Sequence, residues 1–276
     1  MPDTERQNLQ KHLRATETVA LSFSARGTVA NASETPLVLV HGLFGSSRNW
    51  QSIAAELEAN RAVYSIDQRN HGSSPHHPSH TIYDMVADLH RWSSEHLKSP
   101  AIFLGHSMGG LATMGLALAF PEMVNKLIVV DIAPRDYSPH HGKEFEALKM
   151  DVSSFRSRSE IDAAMASIHD DPGVRKFLQM NLERTSNGYR WILNVDALAS
   201  ADYLQGFDTI FEGLTYSKPT LAIKGEKSNY IQSEDRQVFD RYFPELRFVE
   251  LKNADHWMHY SAQEAFLGTI KPFIAG

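Results

Sequence analysis

The chain has 276 residues, 42% of them apolar and 22% charged. At this length a core forms without disulfides or a structural metal, and the absence of cysteine excludes a disulfide framework, a thiolate nucleophile, a cysteine–zinc site and an iron–sulfur cluster. The net charge of −6 argues against a nucleic acid or an anionic membrane as partner.

Residues 1–19 are polar and charged and lack the apolar stretch of a secretory signal. Asp3, Glu5 and Glu17 oppose an organelle transit peptide, so the expected location is cytoplasmic. No run approaches 18 consecutive apolar residues, and no membrane span is expected. Short apolar runs at 37–40, 62–66, 101–104, 126–130, 220–223 and 247–251 read as buried strands. Helical patterns separate them at 47–59, 81–97, 107–119, 233–242 and 261–272. Within 81–97, Ile82, Met85, Val86, Leu89, Trp92 and Leu97 share one face. Strands alternating with helices predict an α/β fold: a mostly parallel central sheet flanked by helices, joined by right-handed crossovers.

That rhythm breaks between 135 and 215, where the chain is polar, helical in pattern and without a convincing buried strand. Stretches 159–168 and 174–182 read as short amphipathic helices. The expected organisation is a core of residues 1–134 and 216–276 with a helical cap, or lid, at 135–215, inserted after the strand that ends at Asp131. A connector that only shields the sheet edge is the alternative.

The segment Gly105, His106, Ser107, Met108, Gly109 fits G-x-S-x-G, directly after one strand and at the start of a helix. That is the setting of a nucleophile elbow, a strained strand-to-helix turn that presents a serine. Residues 41–45 follow the strand at 37–40 with glycines at 42 and 45. Two convergent backbone N–H groups form an oxyanion hole, and Leu43 and Met108 are the expected pair. A serine nucleophile needs a base. His256 follows the last strand and so falls on the carboxyl rim that carries Ser107, with His259 as the alternative. For the orienting acid, Asp131 ends the strand beside the nucleophile strand, while Glu226 and Asp235 remain alternatives. His71, His76, His77 and His80 have no metal-ligand spacing and are expected in a solvated loop, so no metal is expected. In the block Asp67, Gln68, Arg69, Asn70 and His71, the aspartate and arginine are expected to brace a tight loop with Gly72 at positive φ. Apolar pocket candidates are Phe44, Trp191, Phe207 and Trp257.

Several motifs together carry a resemblance: His-Gly-Leu-Phe-Gly-Ser-Ser at 41–47, Asp-Gln-Arg-Asn-His-Gly at 67–72, Gly-His-Ser-Met-Gly-Gly at 105–110, Asp-Ile-Ala-Pro at 131–134 and His-Trp at 256–257. The sequence is similar to α/β-hydrolases of the serine esterase type. It resembles the YbfF-like bacterial esterases and their mitochondrial α/β-hydrolase-domain relatives. The resemblance implies an α/β-hydrolase fold with a helical cap. It also implies hydrolysis of small-molecule acyl esters or thioesters, with short to medium chains, by a Ser107–His256–Asp131 triad and no cofactor. Many members place the acid in a Gly-x-x-Asp after the strand at 220–223, where this chain has Ser228. The YbfF-like group places it one strand earlier, which supports Asp131. The same constellation also serves C–C bond or amide hydrolysis, perhydrolysis, or a ligand receptor with vestigial hydrolysis.

Overall fold

The computed structural model describes residues 2–27, 34–138 and 141–276. Helix α1 (Pro2–Ala15) is followed by β1 (Phe23–Arg26), β2 (Leu37–Val40), α2 (Gln51–Leu57), β3 (Val63–Ile66), α3 (Ile82–His96), β4 (Ala101–His106), α4 (Met108–Ala119) and β5 (Val124–Val130). Next come α5 (Gly142–Leu148), α6 (Arg158–Met165), α7 (Pro172–Leu178), β6 (Leu182–Arg184), β7 (Tyr189–Trp191), α8 (Val195–Ser200) and α9 (Phe207–Ile210). The chain closes with β8 (Thr220–Gly225), α10 (Asp235–Tyr242), β9 (Leu246–Leu251), α11 (Met258–Ser261) and α12 (Gln263–Ala275).

Seven strands form one sheet in the order β1-β3-β2-β4-β5-β8-β9. All neighbours are parallel except β1, which runs antiparallel to β3 at the edge. The inner strands are apolar on both faces because helices cover both. Val38, Val40, Phe103 and Val129 pack into one cluster with α3 and α4. Leu37, Leu39, Ile102, Leu104 and Ile128 pack into the other with Trp50, Ile53, Phe266 and Ile270. Successive residues of a strand point to opposite faces, so each apolar run supplies both clusters. Each large apolar side chain so buried contributes roughly 1.5–3 kcal/mol.

Two elements escaped the sequence reading. Helix α1 is mostly polar, but Leu9 and Leu13 are buried. Arg6 and Gln10 donate to the carbonyls of Leu118 (3.0 Å) and Ala119 (2.7 Å), which α4 leaves open at its C-terminus. Strand β1 is exposed along its whole length and carries no apolar run. By contrast, α3 begins where its local code says: Thr81 accepts from the Asp84 N–H, and the Asp84 carboxylate accepts from the Thr81 N–H.

Between β5 and β8 the chain is helical, as expected, but it also holds a small antiparallel pair, β6 and β7. Three residues per strand are too few to show alternation in sequence. Helices α6 and α7 have side-chain N-caps, from Ser157 to the Glu160 N–H and from Asp171 to the Gly173 and Val174 N–H groups.

Candidate active site

The site stands on the carboxyl rim of the sheet. Strand β4 ends at His106 and α4 begins at Met108, so Ser107 alone makes the turn, at φ 52° and ψ −124°. A left-handed serine is strained, and the surroundings explain why it persists. A Cβ on residue 105 would lie 2.3 Å from the Gly109 carbonyl oxygen, and one on residue 109 would lie 2.4 Å from the His41 oxygen. Glycine at both positions lets β4, α4 and the 41–45 loop close around the turn. The Ser107 N–H is tied to the Val130 carbonyl at 2.9 Å.

One strand along, Asp131 follows β5 with φ 54° and no exposed surface. Its Oδ2 accepts from His256 Nδ1 at 2.7 Å, and its Oδ1 accepts from the Gly225 N–H at 3.1 Å. The Ser228 hydroxyl also donates to Oδ2. Ser228, where the sequence comparison looked for an aspartate, thus binds Asp131. The proton on Nδ1 of His256 leaves Nε2 as the basic nitrogen.

His256 is held from two further directions. Its carbonyl accepts from His106 Nε2 at 2.8 Å. Burial, with His256 and His259 nearby, keeps the His106 pKa well below the ordinary value, so the ring stays a neutral donor. The Tyr230 ring stacks on the His256 ring with centroids 3.9 Å apart and planes 16° apart. The Tyr230 hydroxyl lies 3.1 Å from His141 Nε2, and the Tyr203 hydroxyl 3.2 Å from His141 Nδ1. Burial pushes both phenols above their ordinary range, so both remain protonated.

The alternatives named from sequence are engaged elsewhere. Glu226 accepts from the Asn253 N–H at 2.7 Å. Asp235 pairs with Arg135 at 2.7 Å. His259 packs against Trp50, with ring centroids 4.5 Å apart, and burial lowers its pKa to about 3.

A cavity of about 110 Å³ opens onto Ser107 and His256. Leu43, Phe44, Val174, Phe177, Leu178 and Trp257 form its apolar wall, and His141, Glu144 and Tyr230 its polar one. Of the sequence candidates, Phe44 and Trp257 line it. Trp191 and Phe207 do not line it. The Trp191 indole donates to the Met150 carbonyl at 3.0 Å, and Phe207 is fully buried against Phe211 and Tyr242. Both are large apolar side chains placed for packing, which sequence cannot tell from a substrate wall. Val174, Phe177 and Leu178 were missed as wall residues. Their helical pattern was legible, but not the surface they face.

The 67–74 loop braces itself as expected. Asp67 accepts from the Ser47 N–H (2.6 Å) and the Ser73 N–H (2.9 Å), Gly72 has φ 54°, and Arg69 is buried against Asp88 at 2.6 Å. The expectation of a solvated histidine loop holds for His76 but fails for His71 and His80, which are 0% and 1% exposed. Among the described residues no group of three or more His, Asp or Glu could hold a metal ion. No helix among them is long and apolar enough to cross a membrane.

A mostly parallel sheet whose central strand feeds a strained serine into a helix, with an aspartate-bound histidine on the same rim, defines an α/β hydrolase. The profile of the alpha/beta hydrolase fold family matches residues 35–263, and the chain belongs to that family. The Mus musculus protein named sn-1-specific diacylglycerol lipase ABHD11 is 34% identical, with 89% of this chain and 82% of the mouse protein covered. Esterase YbfF of Escherichia coli K12 is 32% identical, with 92% and 98% covered. A solved structure, a marine microorganism esterase, superposes with a TM-score of 0.84 at 35% identity over 93% of this chain and all of the other. With these relatives, the chain is a hydrolase of the carboxylesterase type.

Proposed function

We propose that the chain hydrolyses small-molecule carboxylic esters through a Ser107–His256–Asp131 triad. The observation that carries this reading is the 2.7 Å bond between Asp131 and His256 at the cavity that the strained Ser107 also lines. Ser107 Oγ attacks the acyl carbon while His256 Nε2 takes its proton. Asp131 holds the imidazole in the productive tautomer and stabilises the imidazolium. The N–H groups of Leu43 and Met108 receive the oxyanion, each contributing on the order of 10²–10³ in rate. His256 then returns its proton to the departing alcohol. Water, deprotonated by the same nitrogen, releases the acid and frees Ser107.

The cavity, about 110 Å³ and walled by Phe177, Val174 and Leu178 on one side, supports short to medium acyl chains. Those three residues and His141 lie between β5 and β8, which supports reading 135–215 as a cap on a core of 1–134 and 216–276. Acyl thioesters share the tetrahedral intermediate and are the second substrate class. A cytoplasmic setting belongs to the same proposal, and cell fractionation reads it. Ser107→Ala is expected to abolish p-nitrophenyl acetate and butyrate turnover and labelling by a fluorophosphonate, with the thermal midpoint preserved. Retained turnover would overturn the assignment. A chain-length series of esters, acyl-CoA thioesters and diacylglycerol then ranks the substrates.

A further inference from the structure

The proposed mechanism leaves the 67–72 block without a part in the chemistry, yet this block exchanges histidines with the 41–45 loop. His41 Nε2 accepts from the Gln68 N–H at 3.0 Å, and its Nδ1 lies 2.8 Å from the Gly42 carbonyl. His71 Nε2 accepts from the Phe44 N–H at 3.2 Å, and its Nδ1 lies 2.9 Å from the Arg69 carbonyl. An amide N–H only donates and a carbonyl only accepts, so each ring is neutral with its proton on Nδ1. The two rings are 5.0 Å apart, and both are buried. Burial keeps both pKa values below the ordinary one, in keeping with that state.

The consequence falls on Phe44. Its φ of 62° is one that a bulky residue resists, so something must hold it. Its N–H is taken by His71 and its carbonyl by Asn181 Nδ2 at 2.8 Å. The Leu43 N–H, one peptide earlier, has no partner among the described residues. The loop is therefore pinned on both sides of Phe44 and open at Leu43.

We propose that His71 is a positioning residue for catalysis: by accepting the Phe44 N–H it fixes the 41–45 loop so that the Leu43 N–H is left to receive the oxyanion. This inference rests on the triad and oxyanion assignment above. A side chain that cannot accept at this point frees the Phe44 N–H and lets the loop relax from its left-handed turn. The Leu43 donor then moves off the carbonyl oxygen, which weakens the transition state more than the ground state.

The test compares an oxyester with the matching thionoester, whose thiocarbonyl sulfur is a poor hydrogen-bond acceptor and gains little from an oxyanion hole. His71→Phe keeps the ring size and removes the acceptor. It is expected to lower kcat on the oxyester about 10–100-fold with KM nearly unchanged, and to lower kcat on the thionoester by less than about 3-fold. His71→Gln, whose amide oxygen can reach the Phe44 N–H, is expected to restore most of the oxyester rate. If His71→Phe does not fold, His71→Asn, whose amide stops short, replaces it with the same expected readout. An equal loss on both substrates, or no loss on either, overturns the positioning role. Ser107→Ala in the same assays separates the two levels: full activity there sinks the triad reading itself, whereas loss there with unaltered His71 variants sinks only the present inference.

Discussion

The rim of the sheet and the segment that faces it hold their residues by different means. At the rim, Ser107 and Asp131 have positive φ directly after β4 and β5. Such residues are strained by roughly 1–3 kcal/mol each, and these two are held by backbone bonds from the Ser107 N–H to the Val130 carbonyl at 2.9 Å and from the Asp131 N–H to the Ile223 carbonyl at 2.8 Å. The segment between β5 and β8 has no comparable frame. Helices α5, α6 and α7 have 7, 8 and 7 residues, well below the length of roughly 12–15 at which an isolated helix is even marginal. Side-chain caps hold α6 and α7, and a few bonds tie the segment to the core. Asn181 to the Phe44 carbonyl and the Asn194 N–H to the Asn70 carbonyl at 3.1 Å are examples. The rim therefore rests on backbone geometry and the cavity wall on side-chain packing, so changes in the two regions should differ in kind.

The largest effect is expected at Asp131. Asp131→Asn should lower kcat by about 10⁴-fold, because the amide favours the wrong imidazole tautomer. A steady-state ester assay measures this, and a fall of less than 10-fold would remove Asp131 from the triad. Gly72→Ala comes next. Its Cβ would meet the Asp67 carboxylate within 2.3–2.5 Å at φ 54°, so a loss of about 2–4 kcal/mol is expected in urea unfolding. An unchanged urea midpoint would show that the loop gives way without strain.

Acid should act on the buried histidines before it acts on the wall. Burial, and secondarily Arg69 for His80 and His256 for His259, lowers both pKa values from 6.5 to about 3. The unfolded chain binds those protons more readily than the folded one. Stability is thus full above about pH 6.5 and falls toward pH 3, by about 1.4 kcal/mol per pH unit for each histidine. Urea midpoints at pH 7 and pH 5 should differ accordingly, and His259→Phe should flatten the slope. Equal midpoints would contradict the burial.

The wall is the place for a selective change. Phe177→Ala should lower kcat/KM for butyrate and hexanoate esters by about 10-fold while sparing acetate, which a chain-length series reads directly. A uniform loss would move Phe177 from the substrate wall to general packing. The smallest effect is expected at Glu226, which binds only the Asn253 N–H at an exposed site. Glu226→Gln should stay within about 2-fold of the parent rate.

How much of this was legible in the sequence depends on whether the signal is local. The apolar runs of β2, β4, β5 and β8, the 81–97 helical pattern and the elbow around Ser107 are local patterns, and each reads directly. Asp131 and His256 could be placed on one rim because parallel strands end together. The 14 residues of α1 and the 4 of β1 could not be read, because one buries few side chains and the other none. Long-range contacts decided the rest. Trp191 and Phe207 are as apolar as Phe177, and only the packing of α7 and β7 separates wall from filler. His71 looked like a member of a polar loop until folding placed its Nε2 against the Phe44 N–H, across 27 residues of chain. Sequence by itself determined the strand rhythm, the elbow and the candidate triad, since these follow from neighbouring residues and strand ends. Only the tertiary structure decided which side chains share a cavity and which histidines lose their water, because burial and proximity belong to the assembled chain.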